Sequence, residues 1–110
     1  MSQDGEGAMP EFLRLFQSAV DPDELVELRR LFLDDVRPAF DDCPGCLGIE
    51  LAVCNHSNAG GLVDVDAISR WTSADEMEVG VASRPIQEAV VRFRSLLRQE
   101  PVAKVLEVLA

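Results

Sequence analysis

The chain contains no tyrosine, one tryptophan and one histidine in 110 residues. Without a phenol, no tyrosine can take part in catalysis. The single histidine, His56, sits among Asn55, Ser57 and Asn58 in a stretch that reads as loop. No Ser/His/Asp relay can be assembled around a residue placed there. No Gly-rich phosphate cradle of the GxGxxG or Walker type occurs, and Gly60-Gly61 reads as a loop pair. No run approaches the ~18–20 apolar residues of a membrane span. The first residues, MSQDGEGAMP, lack the basic and apolar parts of a secretory leader, so the expected location is the cytoplasm and no membrane partner is expected.

Basic residues are also scarce. Ten Lys and Arg face twenty Asp and Glu, a formal net charge of −10. An acidic chain without a basic block does not favour a nucleic-acid or anionic-lipid partner. Three cysteines in a reducing compartment are expected as thiols rather than a disulfide framework. Cys43-Pro44-Gly45-Cys46 has CxxC spacing but opens a strand, so the helix dipole that activates a redox dithiol is missing. Cys43, Cys46, Cys54 and His56 are the residue types of a zinc site. Cys46 and Cys54 lie on one strand, about 26 Å apart at strand rise, so no metal is expected.

The residues that are present organise around Pro44–Trp71. Two runs of period-two alternation flank a loop rich in Asn, Ser and Gly, the pattern of a β-hairpin. In Cys46–Cys54 the apolar face is Leu47, Ile49, Leu51 and Val53. In Leu62–Trp71 it is Val63, Val65, Ala67, Ser69 and Trp71. The opposite, mixed face carries Glu50 on one strand and Leu62, Asp64, Asp66, Ile68 and Arg70 on the other. Glu11–Val20 also alternates, with Phe12, Arg14, Phe16, Ser18 and Val20 against Leu13, Leu15, Gln17 and Ala19. Both sets are fairly apolar, which suits a central strand.

Residues 1–10 are small, polar and acidic, and read as a flexible arm ahead of one domain over 11–110. Asp21-Pro22-Asp23-Glu24 is a helix start, with Asp21 as cap and Glu24 placed to close a capping box. Leu25, Leu28, Phe32 and Val36 form its buried stripe, and Pro38 is expected to end or kink the helix. Ser73-Ala74-Asp75-Glu76 repeats the capping pattern, with Met77 and Val81 buried. Ser83-Arg84-Pro85 restarts the helix, with Ile86, Val90, Phe93 and Leu97 inward and a Glu88–Arg92 pair outward. Pro101 is expected to stop that helix before a last strand over Val102–Leu109. The order βαββαβ predicts an α+β, ferredoxin-like domain, a four-stranded antiparallel sheet with its helices on one face. The sheet's other face is expected to carry Phe12, Phe16, Val20, Leu62 and Ile68 with Glu50 and the strand-three charges. A face of that kind predicts a homodimer, sheet on sheet.

Glu50, Asp64, Asp66 and Arg70, with Arg14, are the charged groups that a partly apolar cavity could use as base and anion clamp. The other reading, which the sequence favours, is inward charges paired with each other or rim charges at an interface. Trp71 falls on the helix-facing side, where it is either a core residue closing the sheet end or a stacking platform.

Pro44-Gly45-Cys46-Leu47-Gly48-Ile49-Glu50, a hairpin ending in Trp71-Thr72-Ser73, and the acidic helix start after it resemble the antibiotic biosynthesis monooxygenase family. The resemblance covers roughly residues 11–110. It implies a dimeric α/β-barrel with a cavity between sheet and helices, and in some members oxidation of aromatic polyketides without metal or flavin. The function it implies is cofactor-independent monooxygenation of a small apolar or aromatic substrate. Glu50 or Asp66 would act as base and Arg70 or Arg14 would steady an anion, with Phe16 and Trp71 against the substrate and no cofactor. The alternative is a non-catalytic ligand-binding or dimerisation module of the same fold. The chain departs from the family's sets. Gly80 stands where many members carry a histidine. Phe16, Gly80 and Ala89 stand where the haem-degrading branch has its asparagine, tryptophan and proximal histidine. The tyrosine of the quinone-forming branch has no counterpart.

Overall fold

The computed structural model describes residues 11–110; the arm expected over 1–10 lies outside them. Four strands, β1 (Phe12–Val20), β2 (Cys46–Val53), β3 (Val63–Trp71) and β4 (Val102–Glu107), form one sheet in the order β2-β3-β1-β4. Every neighbouring pair is antiparallel, so the hairpin and the ferredoxin-like order are as the alternation predicts. The helices α1 (Leu25–Leu31), α2 (Arg37–Asp41), α3 (Ala74–Val81) and α4 (Arg84–Arg94) follow β1 and β3. Among the described residues no helix is long and apolar enough to cross a membrane.

The core lies between the helices and one sheet face. Val65, Ala67 and Trp71 of β3 meet Leu28, Phe32, Val36 and Phe40 from the first helical segment and Ile86, Ala89 and Phe93 from α4. Register decides which set of β1 joins them. Phe16 lies opposite Ala67 and Val20 opposite Val63, and directly opposed residues share a face. Phe16 and Val20 therefore pack under the helices. The expectation that Phe12, Phe16 and Val20 lie on the open face is wrong; Leu13 and Leu15 lie there instead, beside Ile68 and Leu106. Both faces of β1 are apolar, so alternation alone could not choose between them.

β2 carries a second departure. Cys46 opposes Trp71 while Gly48 opposes Arg70, which leaves Leu47 as an extra residue. This β-bulge turns Cys46 to the helix side and leaves Leu47 half exposed, against its expected place on the apolar face. Gly48 has φ +145°, a conformation that glycine adopts without steric cost.

Pro38 does not end the first helix. A 3-10 turn at Pro22–Glu24 leads into α1, a π-helical stretch at Phe32–Val36 follows, and α2 runs through Pro38 to Asp41. The Arg37 N–H reaches back five residues to the Phe32 carbonyl. Proline offers no N–H to the carbonyl four residues before it, and the widened turn lets the chain pass that gap. The capping box at Asp21 does not form; the Asp21 carboxylate instead accepts from Arg98 at 3.3 Å. The cap at Ser73 does form, its hydroxyl accepting from the Glu76 N–H at 3.1 Å.

α4 ends at Arg94, seven residues before Pro101. The chain then returns through turns anchored on β1. Ala19 O accepts the Arg98 N–H at 2.8 Å, and Ser18 Oγ donates to the Gln99 carbonyl at 2.7 Å. The expected Glu88–Arg92 pair is replaced by Arg84–Glu88 at 2.9 Å and Arg92–Asp35 at 3.1 Å.

Candidate functional site

The space between sheet and helices narrows to a small chamber. Arg14 and Phe16 of β1 and Ile49, Ala67 and Ser69 of β2 and β3 form its floor, roofed by Val36, Phe40, Val90 and Phe93. Its volume is about 20 Å³, because aromatic side chains fill it. Phe16 and Phe32 each tilt against Phe93, with centroids 6.4 and 6.5 Å apart, and Phe40 packs edge-on to Trp71 at 6.1 Å.

Two polar side chains line the chamber. Ser69 is buried, and its Oγ accepts from Trp71 Nε1 at 2.8 Å. Arg14 lies opposite Ser69 in the β1–β3 ladder, with its guanidinium carbon 5.6 Å from the Phe16 ring centre. No carboxylate pairs with it among the described residues, and burial pulls its pKa below the ordinary arginine value. Arg14 is thus a half-buried guanidinium whose side-chain contact is the face of Phe16.

Glu50, Asp66 and Arg70 lie on the other side of the sheet. Glu50 opposes Ile68, Asp66 opposes Ala52, and Arg70 opposes Gly48. The expected constellation therefore divides: Glu50, Asp64, Asp66 and Arg70 share the open face, and Arg14 lies behind it under the helices. Arg70 is paired with Glu11 at 3.0 Å. Asp66 Oδ2 accepts from Gln17 Nε2 at 2.9 Å, while Asp66 Oδ1 is buried without a partner. Gln17 was not expected in this group, because the set it shares with Leu13 and Leu15 was placed on the other face.

Trp71 is fully buried and closes the sheet end. Its indole explains Gly80. A Cβ on Gly80 would come within 2.7 Å of Trp71 Cη2 and 2.7 Å of Cys43 Sγ. The position that carries a histidine in many members of the resembled family is here occupied from outside by the indole and the thiol. Sequence spacing locates Gly80 but cannot show what fills the room it leaves.

The cysteines are free thiols. Burial, reinforced by the Glu76 charge, pushes the Cys43 thiol up from its ordinary value of 9.0. Burial also pushes Cys46 up, against the pull of a backbone hydrogen bond at Gly48. Both shifts disfavour the thiolate, opposite to the shift a redox dithiol needs. Cys54 Sγ lies 3.8 Å from the His56 ring nitrogens, away from the other two thiols. Among the described residues no three His, Cys, Asp or Glu side chains converge as metal ligands would.

No family model matches the chain, and no curated protein matches it. Its fold does match solved structures. A Bordetella bronchiseptica protein provisionally named an antibiotic biosynthesis monooxygenase superposes with a TM-score of 0.72 at 17% identity, over 92% of this chain and 99% of that one. A Caulobacter crescentus protein with the same provisional name gives 0.71 at 18%, over 98% and 100%. Rv0793 from Mycobacterium tuberculosis gives 0.64 at 20%, over 91% and 96%. The chain thus has the fold of proteins named antibiotic biosynthesis monooxygenases, and the resemblance read from the hairpin holds at that level.

Proposed function

We propose that the chain is a homodimeric, cofactor-independent oxygenase of the antibiotic biosynthesis monooxygenase type, acting on a small acidic aromatic held as its anion by Arg14. The observation that carries this reading is the unpaired Arg14 guanidinium in apolar surroundings beside Phe16 and Ser69. A fixed, half-buried cation lowers the pKa of a bound phenol or anthrone, and the resulting carbanion or phenolate is what reacts with dioxygen. For an anthrone the balance is a CH2 and O2 giving a C=O and water. Glu50 and Asp66 lie across the sheet from Arg14, so in this reading the ring proton leaves to solvent. Arg14 and one wall of aromatic side chains must move to admit the ring, since the closed chamber is about 20 Å³.

That closed chamber favours a second reading, a ligand-binding or dimerisation module without catalysis, because no proton acceptor of the carboxylate or imidazole kind lines it. Oxygen uptake with anthrone separates the two. Catalysis predicts uptake above the buffer rate, reduced about tenfold or more in Arg14→Ala, the cost of losing a charged hydrogen bond to the anion. Binding of the anthrone without uptake selects the second reading in its ligand-binding form, and neither binding nor uptake leaves only the dimerisation module.

The dimer is part of the proposal. The open face presents Leu13, Leu15, Ile68 and Leu106, with Val102 59% and Leu106 42% exposed in the single chain. It also holds the unpartnered Asp66 Oδ1. A second sheet laid on this face would cover the apolar side chains.

A further inference from the structure

A cleft of about 500 Å³ opens between the end of α2, the turn at 42–45, α3 and the start of α4. It shares no lining residue with the sheet–helix chamber and is of the size that small-molecule sites have. Its walls are apolar, from Ala39, Pro44, Val79 and Pro85. Its floor is the bare backbone of Gly80 resting on Cys43 Sγ and the Trp71 indole. Beside the neutral Ser83, the remaining lining residues are charged with one sign. Asp42, Asp75 and Glu76 contribute carboxylates, and no lysine or arginine lines the cleft. Local structure fixes one of them. Ser73 caps α3 through the Glu76 N–H, and Thr72 donates to the Glu76 carboxylate. Glu76 also packs against Gly45, where any Cβ would lie 2.5 Å from its own.

From this geometry we propose that the cleft binds a small organic cation, a protonated amine on a compact apolar or aromatic body. The apolar walls take the body and the carboxylates at the rim take the ammonium. An anion of the same shape meets only like charge. A bare metal ion is not served, since no three ligand side chains converge among the described residues. Burial first, and then the neighbouring Glu76 charge, raise the Cys43 pKa, in keeping with rim and floor being adjacent. Because the three acids are exposed, their preference for a cation over a neutral isostere is modest, roughly two- to fivefold in affinity.

Three probes of one shape test this: phenethylamine, 2-phenylethanol and 3-phenylpropionate. Trp71 is the chain's one tryptophan and touches the floor, so its emission reports occupancy. Alkylation of Cys43 by iodoacetamide, read by peptide mass, reports occupancy of this cleft and not of the chamber. Phenethylamine is expected to shift the emission saturably and slow Cys43 alkylation. The alcohol should bind roughly two- to fivefold more weakly and the acid more weakly still. Val79→Arg, at an exposed position on α3, should abolish the response, and Asp42→Asn with Asp75→Asn should weaken it. If Val79→Arg does not fold, the double asparagine variant carries the test. Equal affinity for amine and alcohol, an emission change without protection of Cys43, or no saturable response to the amine would each overturn the proposal.

Discussion

Gly80 shows at the scale of one residue how position and room differ. A side chain there must displace the Trp71 ring and the Cys43 thiol, both held by surrounding core. Gly80→His is therefore expected to lower stability by about 1–3 kcal/mol or more, the range for overpacking a filled interior. Urea unfolding followed by Trp71 emission measures it, and an unchanged midpoint would mean the indole has another resting place. The sequence made Phe32, Val36, Met77 and Ile86 legible as helix residues on apolar stripes, because their spacing follows the periods of their elements. Arg14 was legible as a candidate and its companions were not. Which charges meet it depends on which face of β1 the helices cover, and an apolar strand on both faces carries no mark of that.

Elements were read most securely where end signals and periodicity agree. The β2–β3 hairpin and α3 are of this kind, and the Ser73 cap is formed as its spacing requires. Ser73→Ala is expected to cost about 1 kcal/mol, the usual worth of an N-cap, without altering the sheet. A thermal melt gives the loss, and a cost near zero would show that Thr72 or solvent takes over the Glu76 N–H. Where a signal has two structural answers, sequence chose the commoner one. Proline usually stops a helix, yet the π-helical turn at Phe32–Val36 carries the chain past Pro38 and delivers Phe40 to Trp71. The bulge at Leu47 is likewise silent in an alternating run, since one extra residue changes the facing of those before it without changing their types.

At the scale of the whole molecule, the helices cover one sheet face and leave the other with Leu13, Leu15, Ile68 and Leu106. A two-fold pairing of such faces in an obligate dimer buries upwards of about 2,000 Å². Sedimentation equilibrium is expected to give twice the chain mass of 12.1 kDa. Leu106→Asp, at a position already 42% exposed, should leave the protomer folded and yield 12.1 kDa species, whereas Ile68→Asp should split or unfold the assembly. A folded parent protein sedimenting at the single-chain mass would refute the dimer. Charge balance and the βαββαβ order were readable from composition and spacing. How the outer faces are used was not, because exposure is a property of the assembled sheet. β4 brings one more consequence. All six of its residues are exposed, and its ladder to β1 joins it to the sheet along one side only. Breathing of the native state should therefore begin there, with amide hydrogens along Val102–Glu107 trading with solvent before those of β3. Each such excursion briefly turns β1, the middle of the sheet, into a border.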